Sequence, residues 1–208
     1  MTEAEAITWF RKNVSRETFE RLEIYAAALT KWQKAINLIS AKTMPELWTR
    51  HFFDSAQIFS HCPAVSGLWL DIGTGGGFPG LICAALAAEK KPDIRFTFVE
   101  SDLRKCSFLR AAAAEMGLKV GLLTRRIEDA PPQNAQIISA RALAPLTVLC
   151  GYADRHLAQD GTALFLKGAT HGQEINQALE TWTMKMEIIP SQTADGAVIL
   201  KIGDIRRA

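Results

Sequence analysis

Several features are scarce or missing in this chain of 208 residues, and each excludes a class of protein. The cysteines are far apart and never at Cys-x-x-Cys spacing, so neither a zinc framework nor a disulfide scaffold is expected. They are Cys62, Cys83, Cys106 and Cys150. The first residues lack the basic and then apolar pattern of a signal peptide, and no apolar run approaches the ~20 residues that cross a bilayer. The sequence therefore predicts a cytoplasmic protein with no membrane partner and no metal.

A large excess of one charge is also missing. The chain has 24 Lys and Arg against 22 Asp and Glu, a formal net charge of +2. This total does not indicate a nucleic-acid-binding protein, so any basic surface must arise from local arrangement. With 48% hydrophobic and 22% charged residues, the composition is that of a globular protein. The length predicts one domain, or one domain with a small appendage.

The first sixty or so residues have the apolar spacing of helices. Ser15 is placed to cap a helix, and apolar side chains recur at helical spacing after it. Pro45 is predicted to open a third helix, because proline is favoured in a first turn. We therefore predict an N-terminal helical extension over residues 1–64, packed on a core domain over residues 65–208.

Beyond this extension, strands alternate with helices. The predicted strands, in chain order, are 68–72, 95–100, 120–124, 137–140, 162–167, 185–189 and 197–202. The predicted helices between them are 80–88, 102–116 and one that starts at Pro145. This alternation predicts an α/β fold with helices on both faces of a mainly parallel, seven-stranded sheet. The last two strands are joined by a short turn and predict a terminal antiparallel hairpin.

Residues 71–80, Asp-Ile-Gly-Thr-Gly-Gly-Gly-Phe-Pro-Gly, form a glycine-rich loop after the first strand. From Gly75 they fit Gly-x-Gly-x-x-Gly, the dinucleotide fingerprint. From Asp71 they fit acid-x-Gly-x-Gly-x-Gly, the first motif of Rossmann-like methyltransferases. The second pattern is favoured, because the dinucleotide fingerprint starts too late for a strand-end turn and Pro79 has no amide for a pyrophosphate. An aspartate there would repel a pyrophosphate but suits the methionine ammonium of S-adenosylmethionine (SAM), directly or through water.

Glu100 ends the second strand, where nucleotide-binding folds hold a ribose. Its carboxylate can accept hydrogen bonds from both ribose hydroxyls and would repel the 2′-phosphate of NADP. Together with Asp71, Gly73, Gly75 and Gly77, it predicts SAM as the cofactor. A nicotinamide-dependent oxidoreductase is the competing interpretation in another enzyme class.

Three further groups of motifs point to a family. They are 32–40 with 46–55 (Arg-His-Phe-Phe-Asp-Ser at its end); Gly77-Phe78-Pro79-Gly80 with Glu100-Ser101 and Phe108-Leu109-Arg110; and 139–146 with Leu166-Lys167-Gly168. Together they resemble the bacterial small-subunit ribosomal RNA guanine-N7 methyltransferase family, also called glucose-inhibited division protein B. The resemblance runs from about residue 30 to residue 168. It is weak over the last forty residues.

The resemblance implies a Rossmann-like class I SAM-dependent methyltransferase fold. It also implies methylation of N7 of one guanine in the 530 loop of 16S rRNA. In the cofactor site it implies Gly73 and Phe78 in the loop, with Ile127 and Glu128 beside the adenine. Arg141 would lie at the end of the fourth strand, near the methyl donor.

The sequence offers no convincing general base, which agrees with attack by N7, a nitrogen with a free lone pair and no proton at neutral pH. No catalytic residue is therefore assigned. Arg141 is the candidate for positioning the substrate, because a guanidinium could hold the methionine carboxylate, a phosphate or guanine O6. His51 and Asp54 lie on one helix face and are predicted to lock the N-terminal helices onto the core rather than to act in catalysis.

The predicted macromolecular partner is 16S rRNA, in the small ribosomal subunit or an assembly intermediate. Candidate phosphate contacts are Arg104, Lys105, Arg126 and Lys167, and the last two are favoured because they lie at strand ends. The modest net charge predicts that ribosomal proteins help to define the substrate. We expect a monomer. The sequence also leaves room for a non-catalytic RNA-binding protein and for a small-molecule methyltransferase.

Overall fold

The computed structural model describes all 208 residues. The N-terminal region contains helices α1 (Glu3–Asn13), α2 (Arg16–Trp32) and α3 (Asp54–Ser60), with a 3-10 helix (Ala41–Glu46) and a π-helical segment (Trp48–Phe53) between α2 and α3. The predicted cap of α2 is confirmed, since Ser15 Oγ accepts a hydrogen bond of 3.1 Å from the amide of Thr18. The predicted helix start at Pro45 is wrong. Pro45 instead lies inside the 3-10 helix, which starts four residues earlier, at Ala41.

The remaining helices and strands follow in alternation. They are β1 (Gly67–Ile72), α4 (Gly80–Lys90), β2 (Ile94–Glu100), α5 (Leu103–Glu115), β3 (Val120–Thr124), a 3-10 turn (Ile127–Asp129), β4 (Ala135–Arg141), α6 (Leu146–His156), β5 (Leu157–Lys167), α7 (His171–Leu179), β6 (Trp182–Pro190) and β7 (Val198–Arg207). Helix α7 was not predicted, because only Ile175 and Ala178 are buried in this short, polar segment.

The seven strands form one sheet in the order β3-β2-β1-β4-β5-β7-β6. Strands β1 to β5 are parallel, and β7 inserts antiparallel between β5 and β6. The predicted α/β fold with a mainly parallel seven-stranded sheet and a terminal antiparallel hairpin is therefore confirmed. The strand order reverses between β1 and β4, so a crevice is expected at the carboxyl ends of these two strands.

Two hydrophobic clusters cover the two faces of the sheet. The larger joins α1–α5 to one face, with Tyr25 and Trp69 fully buried in it. The smaller joins α6 and α7 to the other face. The N-terminal helices thus share a continuous core with α4 and α5, while the domain boundary near residue 64 stays a prediction. None of the helices combines the length and apolar character that a membrane span requires.

Candidate functional site

The glycine loop between β1 and α4 crosses the carboxyl end of the sheet. Gly73 adopts φ +63°, and a Cβ built on it would lie 2.4 Å from Leu143 Cδ1. The backbone here therefore lies against the loop that follows β4. A side chain at Gly73 would be strained by its φ and would displace Leu143.

A cavity of about 410 Å³ opens beside this loop, within the usual range for small-molecule sites. Most of the predicted cofactor residues lie on its wall: Gly73, Gly75, Phe78, Glu100, Ile127, Glu128 and Arg141. Two of the predicted RNA contacts, Lys105 and Arg126, also line it. The structure therefore brings together residues from the ends of β1, β2, β3 and β4, as the sequence predicted.

Asp71 is not on this wall. Its side chain is fully buried, with Oδ1 accepting a 2.5 Å bond from Ser139 Oγ and Oδ2 accepting a 3.1 Å bond from the amide of Gly80. Ser139 Oγ in turn accepts a 2.8 Å bond from Trp69 Nε1. Burial raises the pKa of Asp71 to about 7, although these hydrogen bonds oppose the shift. Of the two predicted modes of contact with the methionine ammonium, directly or through water, the geometry does not support the direct one. Instead, Asp71 fixes the start of α4 against β4.

Gly77 also lies behind the wall rather than on it. A Cβ at this position would be 2.6 Å from both Tyr25 Oη and Leu81 Cδ1. Tyr25 Oη donates a 2.5 Å hydrogen bond to the carbonyl of Gly76, and burial raises the pKa of this phenol well above its ordinary value. The glycine at position 77 therefore allows α2 to pack on the loop, and this contact was not foreseen from the sequence.

Glu100 organises the loop from the neighbouring strand. Its Oε2 accepts a 2.9 Å bond from the amide of Gly75, and its Oε1 accepts bonds of 2.7 and 2.8 Å from the amides of Ser101 and Asp102. A carboxylate has about four acceptor positions, so capacity remains for a ribose hydroxyl. The carboxylate thus connects the glycine loop to the start of α5 at the predicted ribose position.

The wall opposite the loop is formed by the turn after β3. Ile127 is buried, and Glu128 is exposed with its Oε1 accepting a 2.5 Å bond from Tyr152 Oη. This bond lowers the pKa of Glu128. Burial, together with Glu128, raises the pKa of Tyr152 to about 12. Tyr152 was missed, because nothing in the sequence shows that this face of α6 reaches the turn after β3.

Arg141 ends β4 and is held from several sides. Its Nη2 donates a 2.7 Å bond to His51 Nδ1, and its Nη1 lies 3.1 Å from the carbonyl oxygen of Arg50 and 3.5 Å from Asp54 Oδ2. The guanidinium carbon stands 4.8 Å from the centre of the Phe78 ring. His51 and Asp54 therefore hold the side chain of Arg141 in place, which is a structural role of the kind predicted for them.

His51 is neutral in this arrangement. Burial, with the nearby charges of Arg141 and Arg50, lowers the pKa of His51 to about 3. Since Nδ1 accepts from Arg141, we assign the proton to Nε2, which donates a 2.8 Å bond to Thr43 Oγ1. The lone pair of the imidazole is therefore already engaged.

The candidate RNA contacts divide into two kinds. Arg104 and Arg126 are exposed, and Lys105 is half-buried on the cavity wall. Lys167 differs, because its Nζ is 2.5 Å from Glu174 and 3.0 Å from the carbonyl oxygen of Ala144, with only 9% of the side chain exposed. This lysine ties β5 to α7 and has no free charge to offer a phosphate.

Further wall residues were not named as cofactor or RNA contacts from the sequence. They are Leu38, Ile39, His51, Thr74, Gly76, Val99, Ser101, Ala142, Leu143 and Tyr152. Leu38 and Ile39 lie in the segment after α2 that carried part of the family resemblance. That resemblance was the one signal that could have placed them beside the glycine loop.

Comparison with known proteins decides the family. A model of the family described as rRNA small subunit methyltransferase G matches residues 18–196. The chain belongs to this family. It is 53% identical over 195 residues to the ribosomal RNA small subunit methyltransferase G of Ruegeria sp. (strain TM1040), covering 94% of this chain and 95% of that protein. The protein of the same name from Paramagnetospirillum magneticum is 42% identical, covering 95% and 94%.

Solved structures with low sequence identity share the fold. A ribosomal protein L11 methylase from Lactobacillus delbrueckii matches with a TM-score of 0.58 at 19% identity, covering 72% of this chain and 76% of that chain. TYW2 from M. jannaschii in complex with AdoMet matches with a TM-score of 0.55 at 12% identity, covering 78% of each. The family makes this chain an rRNA methyltransferase, and these solved structures share its fold. The family decides against an oxidoreductase and against a non-catalytic RNA-binding protein.

Proposed function

We propose that this chain methylates N7 of a guanine in the 530 loop of 16S rRNA, within the small ribosomal subunit or an assembly intermediate. The family supports small-subunit rRNA as the substrate. The sequence resemblance suggests the base and the loop. The cytoplasmic location and the monomeric state stay predictions.

The observation that carries the choice of N7 is that the possible proton acceptors on the cavity wall are engaged. The lone pair of His51 binds Arg141, the bond from Tyr152 lowers the pKa of Glu128 and makes it a weaker base, and Glu100 already accepts three backbone amides at the predicted ribose position. An exocyclic amino group must lose a proton when it is methylated, whereas N7 has none to lose. This arrangement therefore favours direct attack by N7 without a general base.

When bound, SAM supplies an electrophilic methyl group on a sulfonium sulfur. The residues of the chain provide position rather than acid–base chemistry. Glu100 holds the ribose, and the backbone around Gly73 and Gly75 holds the methionine end. Arg141 still has N–H donors directed at neither His51 nor Asp54, and these suit guanine O6, which leaves N7 free to attack in line.

A test of this function uses small subunits from cells that lack the gene. We expect the purified enzyme and SAM to produce one N7-methylguanosine, placed in the 530 loop by nucleoside mass analysis and fragment mapping. Protein-free 16S rRNA should react more slowly than subunits. Methylation at another atom or another loop would overturn the proposal, and equal rates on both substrates would remove the role of ribosomal proteins.

The absence of a base has its own test. In single-turnover experiments, the rate of methyl transfer should change less than about threefold between pH 6 and pH 9, because no proton leaves the acceptor. A tenfold rise per pH unit within this range would indicate a general base and contradict the proposed mechanism.

A further inference from the structure

A second cavity, of about 530 Å³, adjoins the first at Arg141. His51, Arg141 and Ala142 line both cavities. The remaining wall of the second cavity comes from the N-terminal region, the end of β5, Glu174 of α7, the loop between β6 and β7 and the start of β7. Since the first cavity has the cofactor residues, the second lies where a methyl acceptor would approach Arg141 from the other side.

The side chains of Asp54 and Gln57, in α3, hold the loop between β6 and β7 against the N-terminal region. Thr193 Oγ1 donates a 2.7 Å bond to Asp54 Oδ1, and the amide of Gln192 donates a 2.7 Å bond to Gln57 Oε1. Ser191 Oγ adds a longer contact of 3.4 Å to Asp54 Oδ1. These contacts hold the loop over the second cavity, more than 130 residues along the chain from α3.

Asp54 uses its two carboxylate oxygens for different partners. Oδ1 accepts from Thr193, while Oδ2 lies 3.5 Å from Nη1 of Arg141. The same carboxylate therefore sets the position of the loop and of the guanidinium. A loop whose bond to Asp54 is lost would leave both the cavity wall and Arg141 less well defined.

We infer that the second cavity receives the target purine base, turned out of its RNA stack, and that Thr193 positions the loop and Arg141 around it through Asp54. This inference rests on the proposed function. Extrusion of a base into a pocket is how enzymes reach atoms of a stacked nucleotide. As the N7–C bond forms, the C–S bond breaks and the positive charge passes from sulfur to the purine, without movement of a proton. Asp54 supplies a negative charge beside that ring.

The first experiment compares Thr193→Val with Thr193→Ser and with Thr183→Val. The valine at 193 removes the donor to Asp54, and the serine keeps it. Thr183 is an exposed residue of β6 whose hydroxyl makes one weak contact of 3.4 Å, so it is a matched control. The measurements are the dissociation constant for SAM by calorimetry, and kcat and KM for small subunits.

We expect Thr193→Val to lower kcat/KM for small subunits about tenfold, since a partly buried bond to a charged group is lost, while the dissociation constant for SAM stays within twofold. Thr193→Ser should recover most of the loss, and Thr183→Val should behave as wild type. Wild-type kcat/KM in Thr193→Val, or a parallel loss of SAM binding, would overturn the inference.

The second experiment fills the cavity. Ala194 is an exposed residue of the loop that lines the second cavity, and Ala194→Trp introduces a ring where the base would lie. We expect methylation to fall at least about tenfold with SAM binding retained, and full activity would contradict the inference. Failure of the proposed function can be distinguished from failure of this inference. If the wild-type product is not N7-methylguanosine, the proposed function fails, whereas a correct product with fully active variants removes only this pocket.

Discussion

Replacing Gly73 by aspartate tests the cofactor loop, and Gly117 provides a matched control. Both glycines have a left-handed backbone, with φ +63° and +66°. The same aspartate therefore carries a similar backbone cost at both positions, about 1 kcal/mol. A Cβ at Gly117 meets no atom within 4 Å, whereas a Cβ at Gly73 lies 2.4 Å from Leu143 Cδ1.

The two variants should therefore lose similar stability but differ in cofactor binding. Leu143 is 38% exposed and can move, so the fold should survive Gly73→Asp. The new carboxylate would enter the cavity that Glu100 also lines. We expect the affinity for SAM to fall at least about a hundredfold, equivalent to about 3 kcal/mol. Calorimetric titration measures the affinity, and urea denaturation measures the stability. Equal SAM affinity in the two variants would refute the assignment of the loop.

Three further predictions follow from buried charges. Arg141→Lys should lower kcat/KM about a hundredfold, with SAM affinity changing less than tenfold, because lysine lacks the planar fork that binds His51; steady-state kinetics and calorimetry measure both. The pKa of Asp71 is raised to about 7, so between pH 4 and pH 7 its carboxyl group is protonated in the native state and ionised in the unfolded state. The contribution of Asp71 to the unfolding free energy should therefore fall by up to about 4 kcal/mol as pH rises from 4 to 8. It is measured in urea titrations as the difference between wild type and Asp71→Asn, because the lowered pKa of His51 contributes the opposite slope. Lys167→Met should cost about 1–3 kcal/mol of unfolding free energy, since it leaves the half-buried Glu174 without its cationic partner.

Each of these predictions has a control within the chain. Asp71→Asn should remove only the contribution of Asp71 and leave that of His51, and a pH profile identical to wild type would assign the effect to another group. Arg126→Gln, on the exposed cavity rim, should reduce the slope of log affinity for RNA against log salt by about one. Lys167→Met should leave this slope unchanged, and a reduced slope would show that the lysine does contact phosphate. Full activity of Arg141→Lys would remove its positioning role.

Much of the fold could be predicted because its signals are local. Strand β3 has the predicted bounds, residues 120–124. The glycine loop and Glu100 correctly indicated where the cavity lies. Helix α7 was missed because its amphipathic face is only two buried residues wide. The start near Pro45 was misjudged because a first turn and a 3-10 turn tolerate proline equally well.

The site was less predictable where a side chain's role depends on distant partners. Asp71 lies at the end of β1 as expected, yet Ser139 and Gly80 occupy its oxygens, and neither bond has a sequence signature. Lys167 lies at the end of β5 as expected, but a residue of the unpredicted α7 neutralises it. The position of each charged residue along its strand was therefore predictable, whereas the partner that its side chain binds was not.

The bond from Tyr25 to Gly76 makes the N-terminal helices part of the cofactor loop's support. Any ligand that orders the loop must, by thermodynamic linkage, also hold α2 against the sheet. Binding at the methyl-donor site is therefore coupled to docking of the N-terminal helices. Removal of these helices would weaken cofactor binding even though every wall residue of the core domain stays in place.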